Sequence, residues 1–456
     1  MHPPEPHSPP ERPPPMSGAW RTTWLLLAFM VVNFADKAVL GLAGPEIRAD
    51  FGLTRQEFGT AQSAFFALFS VAALGVSLLT RRVRTAPLLL VLVLMWSAAQ
   101  LPMMWGAAGF GTLVATRVLL GAAEGPSAPV AIHHVHGWFP QRERSLPTAV
   151  LLFGAAAGVA VAAPVLSWVI THWGWRWSFG VVGLVGLVWA VAWAIWGAEG
   201  PLAPRVGKAA KGGTGEKSGA GTGSAPASDD LGVPLRAVLL SGSFMTAAFG
   251  AFAAYWLMST LLTWTPDYLE SVVGWDLHGA GTLVGVGALA NGVVLLVHGL
   301  VAQRSARREP TGRRLPVGAG AGLLMVVSGC AVALFGTIDS MWGKVPLMLG
   351  PITLAMVMLT VAMTACARIA PPSQRGVVLG ALTFVFALGG ILSPLVLGGM
   401  VDRAATVSAG YEQGWLLTSG LLLTAGVLAA LFCRPEATAK RLGISEAPSA
   451  RVPLVP

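Results

Sequence analysis

The sequence predicts an all-α membrane protein of twelve transmembrane helices in two six-helix halves. Three observations carry that expectation. Composition is the first: 54% of the 456 residues are hydrophobic and 11% charged, with a mean hydropathy of +0.67, far from the balance of soluble domains. The second is a series of apolar runs about 20 residues long, the length that crosses a bilayer as a helix. The third is where the basic residues fall. A net charge of +9 would suit nucleic acid if it formed a patch, but Arg81, Arg82, Arg84, Arg142, Arg144, Lys208, Lys211, Arg304, Arg313, Arg314, Arg368 and Arg375 occupy alternate loops. That is the positive-inside pattern of a multi-pass protein, with the central linker and both termini in the cytoplasm. It implies no nucleic-acid partner.

Taken in order, residues 1–20 form a proline-rich tail with no apolar core, neither a signal nor a transit peptide. Spans of the first half, 21–197, lie near 21–44, 58–79, 86–106, 110–135, 146–171 and 176–197. Residues 198–236, rich in Gly, Ala, Ser and Lys, have the composition of a flexible tether. The second half, 237–433, has spans near 237–266, 278–302, 316–338, 343–367, 375–400 and 413–433, and a tail, 434–456, follows. Cys330, Cys366 and Cys433 sit in apolar runs without metal-ligand spacing. His133, His134 and His136 read as the polar end of the fourth span rather than a metal site. Gly154, Gly158, Gly180, Gly183 and Gly186 suit close helix packing.

Four ionisable residues lie well inside the apolar runs: Asp36 and Lys37 in the first, Arg117 and Glu124 in the fourth. A charge there costs about 2.5 to 3.5 kcal/mol on insertion scales, so each needs a partner or a function. Arg117 and Glu124 are seven residues apart, roughly two turns and about 10 Å along the axis, and share a face. Asp36 and Lys37 diverge by about 100° and cannot aim at one point. The first span runs outward and the fourth inward, which brings Asp36 and Arg117 to similar depth, and a pair between them is expected.

Six spans, a cytoplasmic linker and six more spans is the organisation of major facilitator transporters, whose halves rock about a midplane site. Residue patterns narrow this. Asp36-Lys37 stands in the first span, and Arg117, Gly121, Glu124-Gly125-Pro126 and Pro129 in the fourth. Trp138-Phe139-Pro140 to Glu143-Arg144 follows, then Gly174-Trp175-Arg176-Trp177 with Phe179, and Trp264, Pro266 and Tyr268-Leu269. In this order, across most of its length, the chain resembles the anion:cation symporter branch of that superfamily, carriers that move organic carboxylates with protons or sodium. The resemblance implies that the first and fourth spans line a central cavity. It assigns position 37 to the substrate carboxylate and the acids Asp36 and Glu124 to proton binding; Arg117 is expected to attract the anion as well. It also implies a monomer.

Several positions depart from the family pattern. Lys37 replaces the usual arginine and offers a point charge instead of a bidentate fork. Phe69 stands where a tyrosine is common, and Thr383 and Ala387 where asparagines are. No charge lies deep in a span of the second half, leaving Ser259, Thr263 and Asn291 as its candidate polar groups. These departures suit a monocarboxylate with an apolar body better than a sugar acid. Thr80-Arg81 and Gln303-Arg304 lack the acid of the superfamily's inner-loop signature.

The expectation is therefore a secondary transporter in the cell membrane, importing a small organic carboxylate by proton symport and alternating access. Candidate substrate residues are Lys37, Arg117, Phe69, Ser259, Asn291 and Thr383. Sodium is the alternative coupling ion, and a proton-antiport exporter of a hydrophobic acid or drug-like compound the alternative function. No Walker motif, nucleophile elbow or metalloprotease motif is present, so neither an enzyme nor a cofactor is expected.

Overall fold

In hydrocarbon each backbone amide must find its partner within its own segment or a neighbour, and the apolar runs accordingly become helices. The computed structural model describes residues 18–79, 83–140, 143–203, 233–307, 317–371 and 373–444. Most of the proline-rich and C-terminal tails, the body of the linker and Thr80-Arg81 lie outside the described residues.

The first half comprises α1 (Ala19–Leu42), the short α2 (Gly44–Phe51), α3 (Arg55–Leu79), α4 (Thr85–Gln100), α5 (Phe110–Glu124), α6 (Ser127–His136), α7 (Ser145–Trp173) and α8 (Trp175–Trp196). The second comprises α9 (Leu235–Leu239), α10 (Gly242–Tyr268), α11 (Leu277–Arg307), α12 (Val317–Thr337), α13 (Met341–Leu349), α14 (Val357–Arg368), α15 (Arg375–Arg403), α16 (Val407–Phe432) and α17 (Pro435–Arg441). Among the described residues, ten helical stretches are long and apolar enough to cross a membrane. The second and fourth spans complete the twelve. One is α3, of 25 residues; the other is α5 with α6, each too short to cross alone.

Backbone chemistry explains the irregularities. Pro126 has no N–H to continue the ladder after Gly125 donates to Gly121 O at 3.0 Å, so the fourth span breaks there and restarts as α6. The tenth breaks at Gly350-Pro351 into a 3₁₀ turn, Pro351–Met356, and Ser328 Oγ donates to the Ile352 carbonyl at 2.8 Å. Pro394 inside α15 orphans the carbonyl four residues earlier, and Ser259 Oγ donates to that Gly390 oxygen at 3.2 Å. Gly174 joins α7 to α8 at φ 87° and ψ 158°, a conformation open essentially to glycine alone.

The halves meet along α1 with α10, α3 with α15 and α7 with α11, with the short α2 also against α10. Gly41 abuts the Leu262 carbonyl, Gly59 the Pro394 carbonyl, and Gly281 and Gly285 the α7 segment from Ala160 to Ser167. These contacts fall in the middle of the bundle and at the end remote from the linker. Among the described residues, the close glycine contacts between the halves thus gather toward the remote end. Its outer face presents Val188, Val191, Ile195, Leu296, Val297 and Leu300, an apolar surface suited to lipid.

Candidate functional site

Glycine spacing decides where the charges of the fourth span sit. A side chain at Gly121 would collide with the Phe65 carbonyl of α3, and one at Gly125 with the Phe69 carbonyl. The absence of both lets α5 lie directly on α3, a small-xxx-small contact. Glu124 is thereby held beside Phe69 and opposite α1.

Asp36, Arg117 and Glu124 are 0%, 2% and 1% exposed, and the Lys37 side chain 8%. They form two sets. Lys37 Nζ donates to Glu124 Oε2 at 2.5 Å and to Asn33 Oδ1 at 2.7 Å. It also stands 4.4 Å from the Phe34 ring centroid and 5.7 Å from that of Phe69, within cation–π range. Tyr255 of α10 packs against Phe66 and Phe386, with centroids 5.8 and 4.9 Å away, and Phe66 lies 6.5 Å from Phe69. The Lys37 set therefore looks onto aromatic rings from both halves.

The second set corrects an expectation. Asp36 and Arg117 do not pair directly, because Gln100, the last residue of α4, stands between them. Its Nε2 donates to Asp36 Oδ1, and its Oε1 accepts from Arg117 Nη2 at 2.6 Å. The Arg117 guanidinium lies 5.2 Å from the Phe179 ring centroid. Each acid keeps one buried oxygen without a hydrogen-bond partner, Oδ2 of Asp36 and Oε1 of Glu124. A bare buried carboxylate oxygen is where a proton relieves the largest desolvation cost.

The polar candidates separate as well. Ser259, fully buried, spends its hydroxyl on the Gly390 carbonyl freed by Pro394, which places it in helix packing. Thr383 donates back to Leu379 O within its own helix at 2.9 Å. Thr263 Oγ1 and Asn291 Oδ1 are buried without hydrogen-bond partners.

The second half does bury two charges at the ends of its spans, Lys344 and Asp267. Lys344, 5% exposed, donates to Tyr268 Oη and the Phe335 carbonyl, each at 2.7 Å. Asp267 of α10 joins the halves at the remote end. Its Oδ1 accepts from Arg48 Nη2, and its Oδ2 from Arg55 Nε at 2.8 Å and from Tyr411. Asp402 of α15 caps the first turn of α3, accepting from the backbone N–H groups of Arg55 and Gln56 at 3.1 and 2.7 Å. Nearby, burial pushes the Glu46 carboxyl up from its ordinary range, with Arg48 acting the other way. Elsewhere His134 engages Thr85 at 2.7 Å with Glu199 beside it, anchoring the fourth span to its neighbours.

Twelve spans in two halves, with buried charges and aromatic rings where they converge, have the architecture of a membrane carrier. A model of the Major Facilitator Superfamily matches residues 25–394, and the chain belongs to that family. It is therefore a multi-pass membrane transporter and not an enzyme.

Among its relatives is a D-galactonate transporter of Escherichia coli O6:H1, 26% identical over 83% of this chain and 88% of that protein. A probable sulfoacetate transporter of Cupriavidus necator is 26% identical, with 89% and 92% covered. A hexuronate transporter of Bacillus subtilis is 24% identical over the same shares. The fold also matches a bacterial homolog of the human lysosomal transporter Spinster, inward-facing and occupied, with TM-score 0.70, 17% identity and coverage of 95% and 99%. A D-xylose-proton symporter superposes with TM-score 0.67 at 14% identity, covering 91% and 97%.

Proposed function

We propose that this chain imports a small organic carboxylate across a bacterial cytoplasmic membrane by proton symport. One observation carries the reading: a lysine and a glutamate 2.5 Å apart, the glutamate with one bare oxygen, beside aromatic rings of both halves. While Glu124 is ionised it occupies Lys37. A proton on Oε1 weakens that hold and frees Lys37 to take a new anionic partner, so an arriving carboxylate takes the place of Glu124. Anion and proton then enter together, because either alone leaves a charge uncompensated in a low-dielectric site. The linker side is cytoplasmic by the distribution of Arg and Lys, and the end closed by Asp267 and Asp402 is external.

The relatives' names share one chemistry, a small organic acid that carries at least one carboxylate. Phe34 and Phe69 stand beside Lys37, and Phe66, Tyr255 and Phe386 continue the rings from Phe69 into the second half, a surface with few hydrogen-bond partners for a polyhydroxy chain. The reading therefore favours an acid with few hydroxyls over a hexonate. The test is external pH on adding D-galactonate, sulfoacetate, a hexuronate and benzoate to proteoliposomes of wild type and Glu124→Gln. Alkalinisation by one acid, lost in the variant, supports symport; a stronger response to D-galactonate than to benzoate and sulfoacetate reverses the substrate preference. Acidification in right-side-out vesicles would mark export.

A further inference from the structure

We propose that Gln100 is a positioning residue for proton coupling, a neutral spacer that keeps Arg117 off Asp36 and so leaves Asp36 free to take a proton on Oδ2. The inference rests on Asp36 being a proton site, and it concerns what makes that possible. Asp36 and Arg117 are both fully buried and of opposite charge, on helices that share a bundle core. In a dry site such a pair collapses into a direct salt bridge, and a carboxylate locked that way gives up its ionised form only when the bridge is broken.

The amide prevents the collapse by satisfying both ions at once. A side-chain amide, with a donor and an acceptor on one rigid plane, suits this task. Its Nε2 faces Asp36 Oδ1 and its Oε1 faces Arg117 Nη2 at 2.6 Å. The separation weakens the Coulomb attraction while giving each ion one hydrogen bond. Oδ2, the second oxygen of Asp36, has no partner, so a proton can arrive there without disturbing the amide.

The spacer is also held in place. Gln100 is fully buried, ends α4 just before Pro102 turns the chain into a 3₁₀ segment, and has its Cβ against Gly183 of α8. Its side chain has nowhere to swing. The charged groups facing Asp36 are Arg117 and Glu124 from α5 and Lys37 from α1. The titratable residues of α7 and α8, His172 and Arg176, lie at their remote ends and are exposed or paired to Asp50. Gln100 is therefore the neutral group that governs how closely Arg117 approaches.

The experiment needs no transported substrate. Reconstituted full-length protein is titrated with pH while infrared difference spectra follow the buried protonated-carboxyl band, assigned to Asp36 by its loss in Asp36→Asn. In Gln100→Ala the guanidinium closes on the carboxylate, and the half-protonation point of the Asp36 band moves toward acid by one pH unit or more. In Gln100→Ala/Arg117→Gln it moves back by at least as much, because the collapsing partner is gone. Thermal unfolding confirms that both variants fold, and Gln100→Asn, which keeps the amide, retains a midpoint nearer wild type.

An unmoved midpoint in Gln100→Ala overturns the proposal. So does an alkaline shift, which would make Gln100 a simple hydrogen-bond donor to Asp36. If wild type shows no Asp36-dependent band, the proton-site reading itself fails, an outcome that leaves the substrate assignment of Lys37 standing.

Discussion

Lys37 and Glu124 are held by each other, and the energetics of that hold are measurable. Removing one partner of a buried pair leaves an uncompensated charge, which costs about 3 to 5 kcal/mol. Lys37→Met alone is thus expected to unfold at markedly lower temperature in detergent than Lys37→Met/Glu124→Gln, which removes both charges; equal loss in the two would show that the pair is not coupled. Transport separates the roles further. Glu124→Gln is expected to keep substrate exchange while proton-driven accumulation falls at least tenfold, measured as counterflow against gradient-driven uptake. The charges themselves were legible in the sequence, because an ion in an apolar run has a cost that demands explanation. Their partners were not. Gln100 is neutral and stands at a helix end, Tyr255 is one aromatic among many, and neither carries a penalty that marks it out. Asp36 and Arg117 lie at similar depth, but depth alone does not reveal an intervening amide.

At the scale of elements, glycines and prolines carry the positions of the charges. Gly121 and Gly125 let α5 rest on the α3 backbone at Phe65 and Phe69. A methyl group at either must displace backbone, and overpacking of this kind costs about 1 to 3 kcal/mol. Gly125→Ala should lower thermal stability by that amount and, by lifting Glu124 away from α1, weaken substrate affinity; unchanged affinity would mean that Glu124 does not need this contact. Ser259 makes a different prediction. If it repairs the carbonyl freed by Pro394, Ser259→Ala costs about 1 to 3 kcal/mol for the unsatisfied Gly390 oxygen with the KM of uptake unchanged, whereas a substrate role would raise KM at constant stability. The spans were visible as apolar runs, whereas the break at Gly125-Pro126 divides a run, 110–135, that reads as continuous. The cap on α3 was half visible: Thr54 and Glu57 form a local capping box, with Glu57 N donating to Thr54 Oγ1 at 3.1 Å and Thr54 N donating to Glu57 Oε2 at 2.9 Å. Asp402, far along the chain, supplies the rest.

For the whole molecule, the remote-end closure is a latch built from charges that looked like loop residues. Arg48 and Arg55 stand 219 and 212 positions from Asp267, a separation at which a single sequence records no pairing. Asp267 accepts from both arginines of the other half and from Tyr411 of its own, and Asp402 adds the cap on α3. Hydrogen bonds to charged groups contribute about 1.5 to 3 kcal/mol each, while 1.4 kcal/mol already changes a two-state ratio tenfold. Loss of the Asp267 carboxylate is therefore enough to open this end in a measurable fraction of molecules. Thr263, 1% exposed and packed against Gly41 where α10 meets α1, reports the opening. In a background with the native cysteines replaced, Thr263→Cys should react slowly with a hydrophilic maleimide. Adding Asp267→Asn should raise that rate fivefold or more, and Asp402→Ala should raise it less, because backbone N–H groups left by Asp402 can turn to water whereas two guanidinium groups facing a neutral amide lose an ionic partner. If the rate is unchanged in both, the helix contacts at Gly41 and Gly59 hold the end shut by themselves, and the ion pairs only decorate it.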